Sequence, residues 1–258
     1  MTALLEINNL CFTYPGTPEA YPQHGFIQDL NLRIQPGERV GLIGPNGAGK
    51  TTLFLLVCGI LKPGRGQISF QGRQLAANSF NPQIALVFQK SDDQLFCPSV
   101  WEDVAFGPQN LGLDAREVNR RVEQALRAVG AENLAERPVH HLSEGEKRIV
   151  AIAGVLAMRP ALVIYDEPSA GLDIRTRRRL ISLLGQGRES LLIASHDLEL
   201  VLEVCERVVL MDGGRIVADG RPAEIMADEK LMQTHGQEKP HSLIPHQNPH
   251  HRAPEGNR

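Results

Sequence analysis

"RVGLIGPNGAGKTTLFLLVCGI", residues 39–60, is the stretch that decides the fold of this chain. It opens on the apolar run "RVGLIG" (39–44), the pattern of a strand covered on both faces. It closes on "TLFLLVCGI" (52–60), which reads as an apolar helix. Between them "GPNGAGKT", residues 44–51, matches G-x-x-x-x-G-K-[ST]. Glycines there let the backbone curl so that successive N–H groups face an anion, and the following helix adds its positive N-terminal end. Gly44, Pro45, Asn46, Gly47, Ala48, Gly49, Lys50, Thr51 and Thr52 are therefore the candidate phosphate-binding residues. In this pattern Lys50 reaches the β and γ phosphates of a nucleotide, and the Thr51 hydroxyl holds Mg²⁺.

Working outward, similar short apolar runs recur at "IALVF" (84–88), "ALVIYD" (161–166), "LLIAS" (191–195) and "RVVLM" (207–211). Helical patterns separate them, notably at 115–130, where Val118, Val122, Leu126 and Val129 share a stripe, and at 144–158. This alternation predicts an α/β fold, a P-loop NTPase with a mostly parallel core sheet. The first residues differ. "LLEINNL" (4–10) and "FIQDLNLRI" (26–34), separated by the turn-rich "YPGTPEAYPQHG", predict an N-terminal antiparallel β flap. Residues from about 91 to 150 interrupt the strand series and read as an inserted helical subdomain. "MDGGRIVADG" (211–220) reads as a hairpin turning on Gly213 and Gly214. One domain is expected over 1–234, followed by a disordered His- and Pro-rich tail over 235–258.

Composition narrows the function classes. A chain of 258 residues, 42% hydrophobic, is long enough to bury its own core. Its formal net charge of -3 offers no broad cationic field for a nucleic-acid backbone, so nucleic acid is not the expected partner. Cys11, Cys58, Cys97 and Cys205 form no CxxC pair, as expected of reduced thiols rather than a zinc site. The apolar run "LFLLVCGIL" (53–61) is too short to span a bilayer, and "MTALLEINNL" lacks a basic n-region, so neither a membrane span nor a signal peptide is expected.

A phosphate site needs an acidic counterpart at the end of a buried strand. "ALVIYDEP" supplies Asp166 to orient a magnesium shell and Glu167 beside it to polarise an attacking water. With these residues in place the chain resembles the ATP-binding subunits of ABC transporters, over roughly residues 4–225. Gln89 in "VFQKSDDQLF" matches the Q-loop glutamine, "LSEGE" (142–146) resembles the LSGGQ signature, "SAGLD" (169–173) the D-loop and "ASHD" the switch region with His196. The resemblance implies the ABC ATPase fold, with ATP and Mg²⁺ as ligands. It gives Glu167, His196 and Gln89 catalytic roles, and Thr51, Gln89 and Asp166 the magnesium shell. It also implies a head-to-tail dimer, of identical or paralogous ATPases, in which Leu142, Ser143, Glu144, Gly145 and Glu146 close on the partner's ATP and Asp173 lies at the subunit contact.

The signature departs from the family pattern at two positions, with Glu144 in place of glycine and Glu146 in place of glutamine. Ser143 and Glu146 also fit a capping box, a purely helical role compatible with the first. For adenine the family stacks an aromatic ring of the flap, and Tyr14 in "CFTYPG" matches best, with Tyr21 inside an apparent insertion. No N-K-x-D sequence of guanine-reading GTPases occurs.

"DDQLF", "VWEDVAFGPQNLGL" and "IAGVLAMRP" look like the ATPases of energy-coupling-factor importers, most like the cobalt and nickel group. That implies a transmembrane coupling subunit received by a groove near Gln89–Gly107, a substrate-binding membrane component, and a peripheral place on the cytoplasmic face of the cell membrane. Vitamin import remains the alternative solute class, and a non-transport ABC ATPase a further one. His235, His241, His246, His250 and His251 in the tail are either metal-handling ligands or a dispensable solvated segment. "RTRRR" (175–179) reads as a solvated helix face.

Overall fold

A computed structural model describes residues 2–16, 27–187 and 189–244. Two sheets divide the chain. The smaller is antiparallel, in the order β2 (Ile27–Ile34), β1 (Leu5–Phe12), β4 (Arg65–Phe70) and β5 (Arg73–Gln74). Strands β1 and β2 alternate buried and exposed residues, so one face is covered and the other is wet. This is the expected flap, closed by β4 from beyond the phosphate loop.

The larger sheet runs in the order β10 (Arg215–Gly220), β9 (Arg207–Asp212), β3 (Arg39–Ile43), β8 (Ser190–Ala194), β7 (Leu162–Asp166) and β6 (Ile84–Val87). All its pairings are parallel except β9 with β10, which turn on Gly213 and Gly214 at positive φ. Strands β7 and β8 are buried along their full length, which is why they read as unbroken apolar runs.

Side-chain alternation splits the core into two layers. Ile43, Val87, Val163, Tyr165 and Ile193 point to one side, joining the helical lobe. Val40, Leu42, Ile164, Leu192 and Val209 point to the other, where helix α1 (Lys50–Val57) inserts Leu53, Phe54, Leu56 and Val57 between sheet and flap.

The helical lobe comprises α2 (Val100–Asn110), α3 (Ala115–Val129) and α4 (Glu144–Met158). Ser99 and Ser143 each start a helix with a complete capping box. The lobe extends past the expected boundary near 150, because α4 is one continuous helix to Met158. Ile149 to Ala153 are all buried, so the same helix serves lobe and sheet. Helix α5 (Ile174–Gln186) follows β7, and α6 (Leu198–Val204) follows β8.

After α7 (Pro222–Ala227) and α8 (Glu229–Thr234), the chain does not leave the domain at 235. His235 Nδ1 lies 2.8 Å from Asp212 Oδ2, Gln237 is 8% exposed, and the Ser242 amide and hydroxyl donate to Glu199 at 3.0 and 2.7 Å. Residues 235–244 thus belong to the folded body, a correction to the boundary placed at 235. These anchors are polar and specific, so a reading based on composition and periodicity passes over them. The rest of the tail, with His246, His250 and His251, lies outside the described residues, as does Tyr21.

Candidate functional site

The phosphate loop leaves β3 at Gly44, whose φ of 143° only glycine readily adopts. A Cβ there would stand 1.9 Å from the Met211 carbonyl oxygen, so β9 leaves no room for any other residue. Gly47 (φ 81°) and Gly49 (φ 102°) continue the curl, and Gly49 caps α1. Lys50 opens that helix with its ammonium folded back on the loop, donating to the Gly44 and Pro45 carbonyls at 2.7 and 3.0 Å. Burial lowers the Lys50 pKa, while Glu167 and Asp166 oppose that fall.

Across the cleft, β7 ends at Asp166, which accepts a 2.8 Å hydrogen bond from the Thr51 hydroxyl. Next to it Glu167 takes a left-handed backbone, φ 51°, unusual for a side-chain-bearing residue. The Glu167 amide donates to Ala194 O at 2.9 Å, tying this turn to β8. One carboxylate oxygen, Oε2, accepts the His196 amide at 3.0 Å. The other, Oε1, is buried, has no hydrogen-bond partner among the described residues and lies 3.6 Å from His196 Nε2. That imidazole nitrogen lies 2.9 Å from Asn46 Oδ1, so with the amide oxygen as acceptor Nε2 carries the hydrogen. Burial raises the pKa of Glu167 against the pull of the His196 amide and Lys50, and burial likewise raises that of Asp166. A more basic carboxylate is a better proton acceptor near neutral pH.

Asn46, Lys50, Thr51, Gln89, Asp166, Glu167 and His196 line one cleft of about 160 Å³. Residues more than a hundred positions apart in sequence thus meet at the C-terminal ends of parallel strands, where α/β sheets bind ligands. The donor set fits Mg²⁺, which takes oxygen ligands from one or two carboxylates and from substrate phosphates. The Thr51 hydroxyl and Asp166 carboxylate converge there, Gln89 lines the same space, and the unpartnered Glu167 oxygen is buried beside them.

The other sequence candidates lie elsewhere. Tyr14 stands beside the cleft, its hydroxyl 3.3 Å from Thr52 Oγ1 and its ring edge-on to Phe12. Leu142 is buried and anchors the signature segment, whose Ser143 and Glu144 are exposed at the start of α4. Asp173 is also exposed, and its side chain caps α5 by accepting from Arg175 N, Thr176 N and Thr176 Oγ1. Neither the signature nor Asp173 lines the phosphate cleft of its own chain.

Asn46 was expected only as a phosphate-loop residue, Arg177 only as part of a solvated helix face, and Arg148 was not singled out from sequence. Asn46 acts as a partner of His196 as well as a loop residue. Buried Arg148 donates to the Phe88 carbonyl at 2.6 Å and to the Gln89 carbonyl, joining α4 to the Q-loop. Its signal was present: an arginine facing inward at the head of the apolar run "RIVAIAG". Arg177 grips Asp197, next to His196, at 2.7 Å.

A parallel sheet with a phosphate loop between β3 and α1 defines the class, a P-loop nucleotide-binding protein. The family profile described as ABC transporter matches residues 27–170. A Synechocystis relative, provisionally named an ABC transporter ATP-binding protein, is 52% identical over 239 residues, covering 93% of this chain and 82% of its own length. The energy-coupling factor transporter ATP-binding protein EcfA of Methanothermobacter thermautotrophicus is 43% identical over 239 residues, covering 89% of this chain and 75% of its own. Among solved structures, CbiO1 of Clostridium perfringens, part of the ABC transporter complex CbiONQ, superposes with a TM-score of 0.78 at 36% identity, over 90% of this chain and 94% of that one. The chain belongs to the ABC transporter family, as an ATP-binding and ATP-hydrolysing subunit.

Proposed function

We propose that this chain is the motor subunit of an energy-coupling-factor importer of nickel or cobalt ions, seated on the cytoplasmic face of the membrane. The observation that carries the motor role is the convergence of Lys50, Thr51, Asp166, Glu167 and His196 on one cleft, with a buried carboxylate oxygen left free beside it. Lys50 leaves the loop carbonyls to hold the β and γ phosphates of ATP. Glu167 Oε1 accepts a proton from the attacking water, and His196 Nε2 orients the γ-phosphate. Thr51, Asp166 and Gln89 would hold Mg²⁺, which would supply charge neutralisation for the phosphates.

Closure of two such subunits brings residues 142–146 of each onto the ATP of the other, so binding favours the closed dimer and hydrolysis releases it. Movement reaches the membrane through an apolar groove of about 280 Å³ between sheet and lobe. Ile60, Phe80, Phe96 and Phe106 are exposed around it, an arrangement suited to an apolar helix of a transmembrane coupling subunit. Among the described residues no helix is long and apolar enough to cross a membrane.

The likeness to EcfA and CbiO1 supports the energy-coupling-factor type, while the nickel or cobalt reading rests on the resemblance carried by "DDQLF", "VWEDVAFGPQNLGL" and "IAGVLAMRP" and on the tail histidines. The test is accumulation of radioactive nickel and cobalt in cells carrying the complete transporter, with and without this subunit. Loss of uptake on deletion is expected. Equal accumulation would overturn the metal assignment, and loss of vitamin uptake instead would establish the alternative cargo.

A further inference from the structure

The signature segment carries two carboxylates where a triphosphate is to be gripped, and one of them is bound in a way that bears on that grip. Ser143 has a single hydroxyl hydrogen, and it is donated to Glu146 Oε2 at 2.9 Å. The same oxygen accepts the Ser143 amide at 2.8 Å. A phosphate oxygen arriving from outside must compete with Glu146 for that hydrogen. The second oxygen, Oε1, accepts from Arg137 Nη1 at 2.8 Å, while Arg137 Nη2 donates to the His141 carbonyl at 2.9 Å. Arg137 is brought there by the start of α2, where the Val100 amide donates to the Arg137 carbonyl at 3.0 Å.

We propose that Arg137 is the positioning residue that makes this acidic signature workable, by neutralising Glu146 so that the Ser143 hydroxyl is free to turn to the partner subunit's ATP. The proposal rests on the reading that residues 142–146 meet that ATP. A carboxylate whose charge is shared with a guanidinium is a weaker acceptor and repels a triphosphate less. Without Arg137, Glu146 retains the hydrogen and adds a full negative charge at the contact. The pair is also poorly placed to support the fold: the Arg137 side chain is 41% exposed and that of Glu146 34%, where ion pairs contribute little to stability. Its effect is therefore expected in nucleotide response rather than in melting temperature.

The test is ATP-driven dimerisation of the full chain, measured by sedimentation in a Glu167→Gln background, with melting temperature recorded alongside. Arg137→Gln is expected to raise the ATP concentration for half-maximal dimerisation roughly three- to tenfold, the range of one partly screened charge interaction. Adding Glu146→Gln to that variant is expected to restore it to within about twofold, because the charge needing neutralisation is gone. Arg137→Lys, which keeps the charge, is expected to stay close to the unaltered chain. An unchanged response in Arg137→Gln, a loss that persists in the double variant, or an equal loss in Arg137→Lys would overturn the proposal. Ser143→Ala separates the two levels: if it dimerises normally, the signature reading fails. If it is impaired while Arg137→Gln is not, only the role of Arg137 fails.

Discussion

The Thr51 hydroxyl donates to Asp166 Oδ2 at 2.8 Å, joining the first turn of α1 to the last residue of β7. The two oxygens that the family reading places around Mg²⁺ are therefore held together by the fold itself. Asp166→Asn is expected to keep the fold and to lower ATP turnover at least tenfold, an estimate from loss of one charge stabiliser at a phosphoryl-transfer site. A Mg²⁺ titration of ATPase rate checks it: the variant should need more Mg²⁺ for half-maximal rate, and an unshifted curve would remove Asp166 from the metal shell.

Glu167 keeps one buried oxygen beside the phosphate loop that accepts no hydrogen bond from the described residues. Glu167→Gln is expected to cut turnover roughly 10² to 10⁴-fold while ATP still binds, since only the proton acceptor is lost. Dimers should then accumulate with ATP on size-exclusion chromatography. Turnover at the unaltered rate would show that another group takes the proton.

The same substitution carries an opposite effect on stability. Burial raises the Glu167 pKa, so its contribution to folding is fullest below the ordinary value of 4.5 and is lost as pH rises through the folded-state value. At about pH 8 the ionised side chain therefore weakens the fold. Glu167→Gln is expected to raise Tm there, by about 2 to 4 °C for each kcal/mol relieved, with the gain shrinking as pH falls toward 4.5. Scanning calorimetry across that range checks the sign, and a gain that grew in acid would contradict it.

Glu144 sits in the first turn of α4, exposed and, among the described residues, in no ion pair of the kind that joins Glu146 to Arg137. Glu144→Gly is expected to tighten ATP-driven dimerisation by several-fold through relief of charge repulsion. The helix should lose on the order of 0.3 to 1 kcal/mol of favourable charge at its N-terminus. Dimer affinity and Tm measured together separate the two effects. Unchanged affinity with lower Tm would leave Glu144 as a helix-start residue only.

Arg148 is 2% exposed, and its guanidinium spans two Q-loop carbonyls while its Nε has no hydrogen-bond partner among the described residues. Arg148→Met is expected to cost about 2 to 4 kcal/mol, because the Phe88 and Gln89 carbonyls lose charged donors in a buried setting. Urea unfolding should show this as a lower midpoint at similar slope. A midpoint within error of the unaltered chain would mean that the Q-loop is held by other contacts.

The phosphate loop, the parallel sheet and the placement of Asp166 and Glu167 at the end of a buried strand were legible in the sequence because each rests on local rules. Buried strands such as β7 and β8 show as unbroken apolar runs, and positive φ at Gly47 and Gly49 shows as glycine in a spaced motif. The capping box at Ser143 and Glu146 was equally visible, since its partners lie three residues apart. The helix at 144–158 was read at its full length, while the lobe boundary placed near 150 falls inside it, because a helix that packs on both lobe and sheet carries no mark of where one neighbour ends and the next begins.

What the sequence by itself determined is thus the set of chemical groups and the class of fold that presents them. Only the tertiary structure decided how those groups are spent: that Asn46 meets His196, that Arg137 takes one oxygen of Glu146, and that residues 235–244 stay on the body through Asp212 and Glu199. Each is a single polar contact, directional over about 3 Å, between segments whose separation along the chain obeys no period. Backbone propensity and apolar patterning act locally and leave a trace in the sequence, whereas such contacts exist only once packing has brought their partners together.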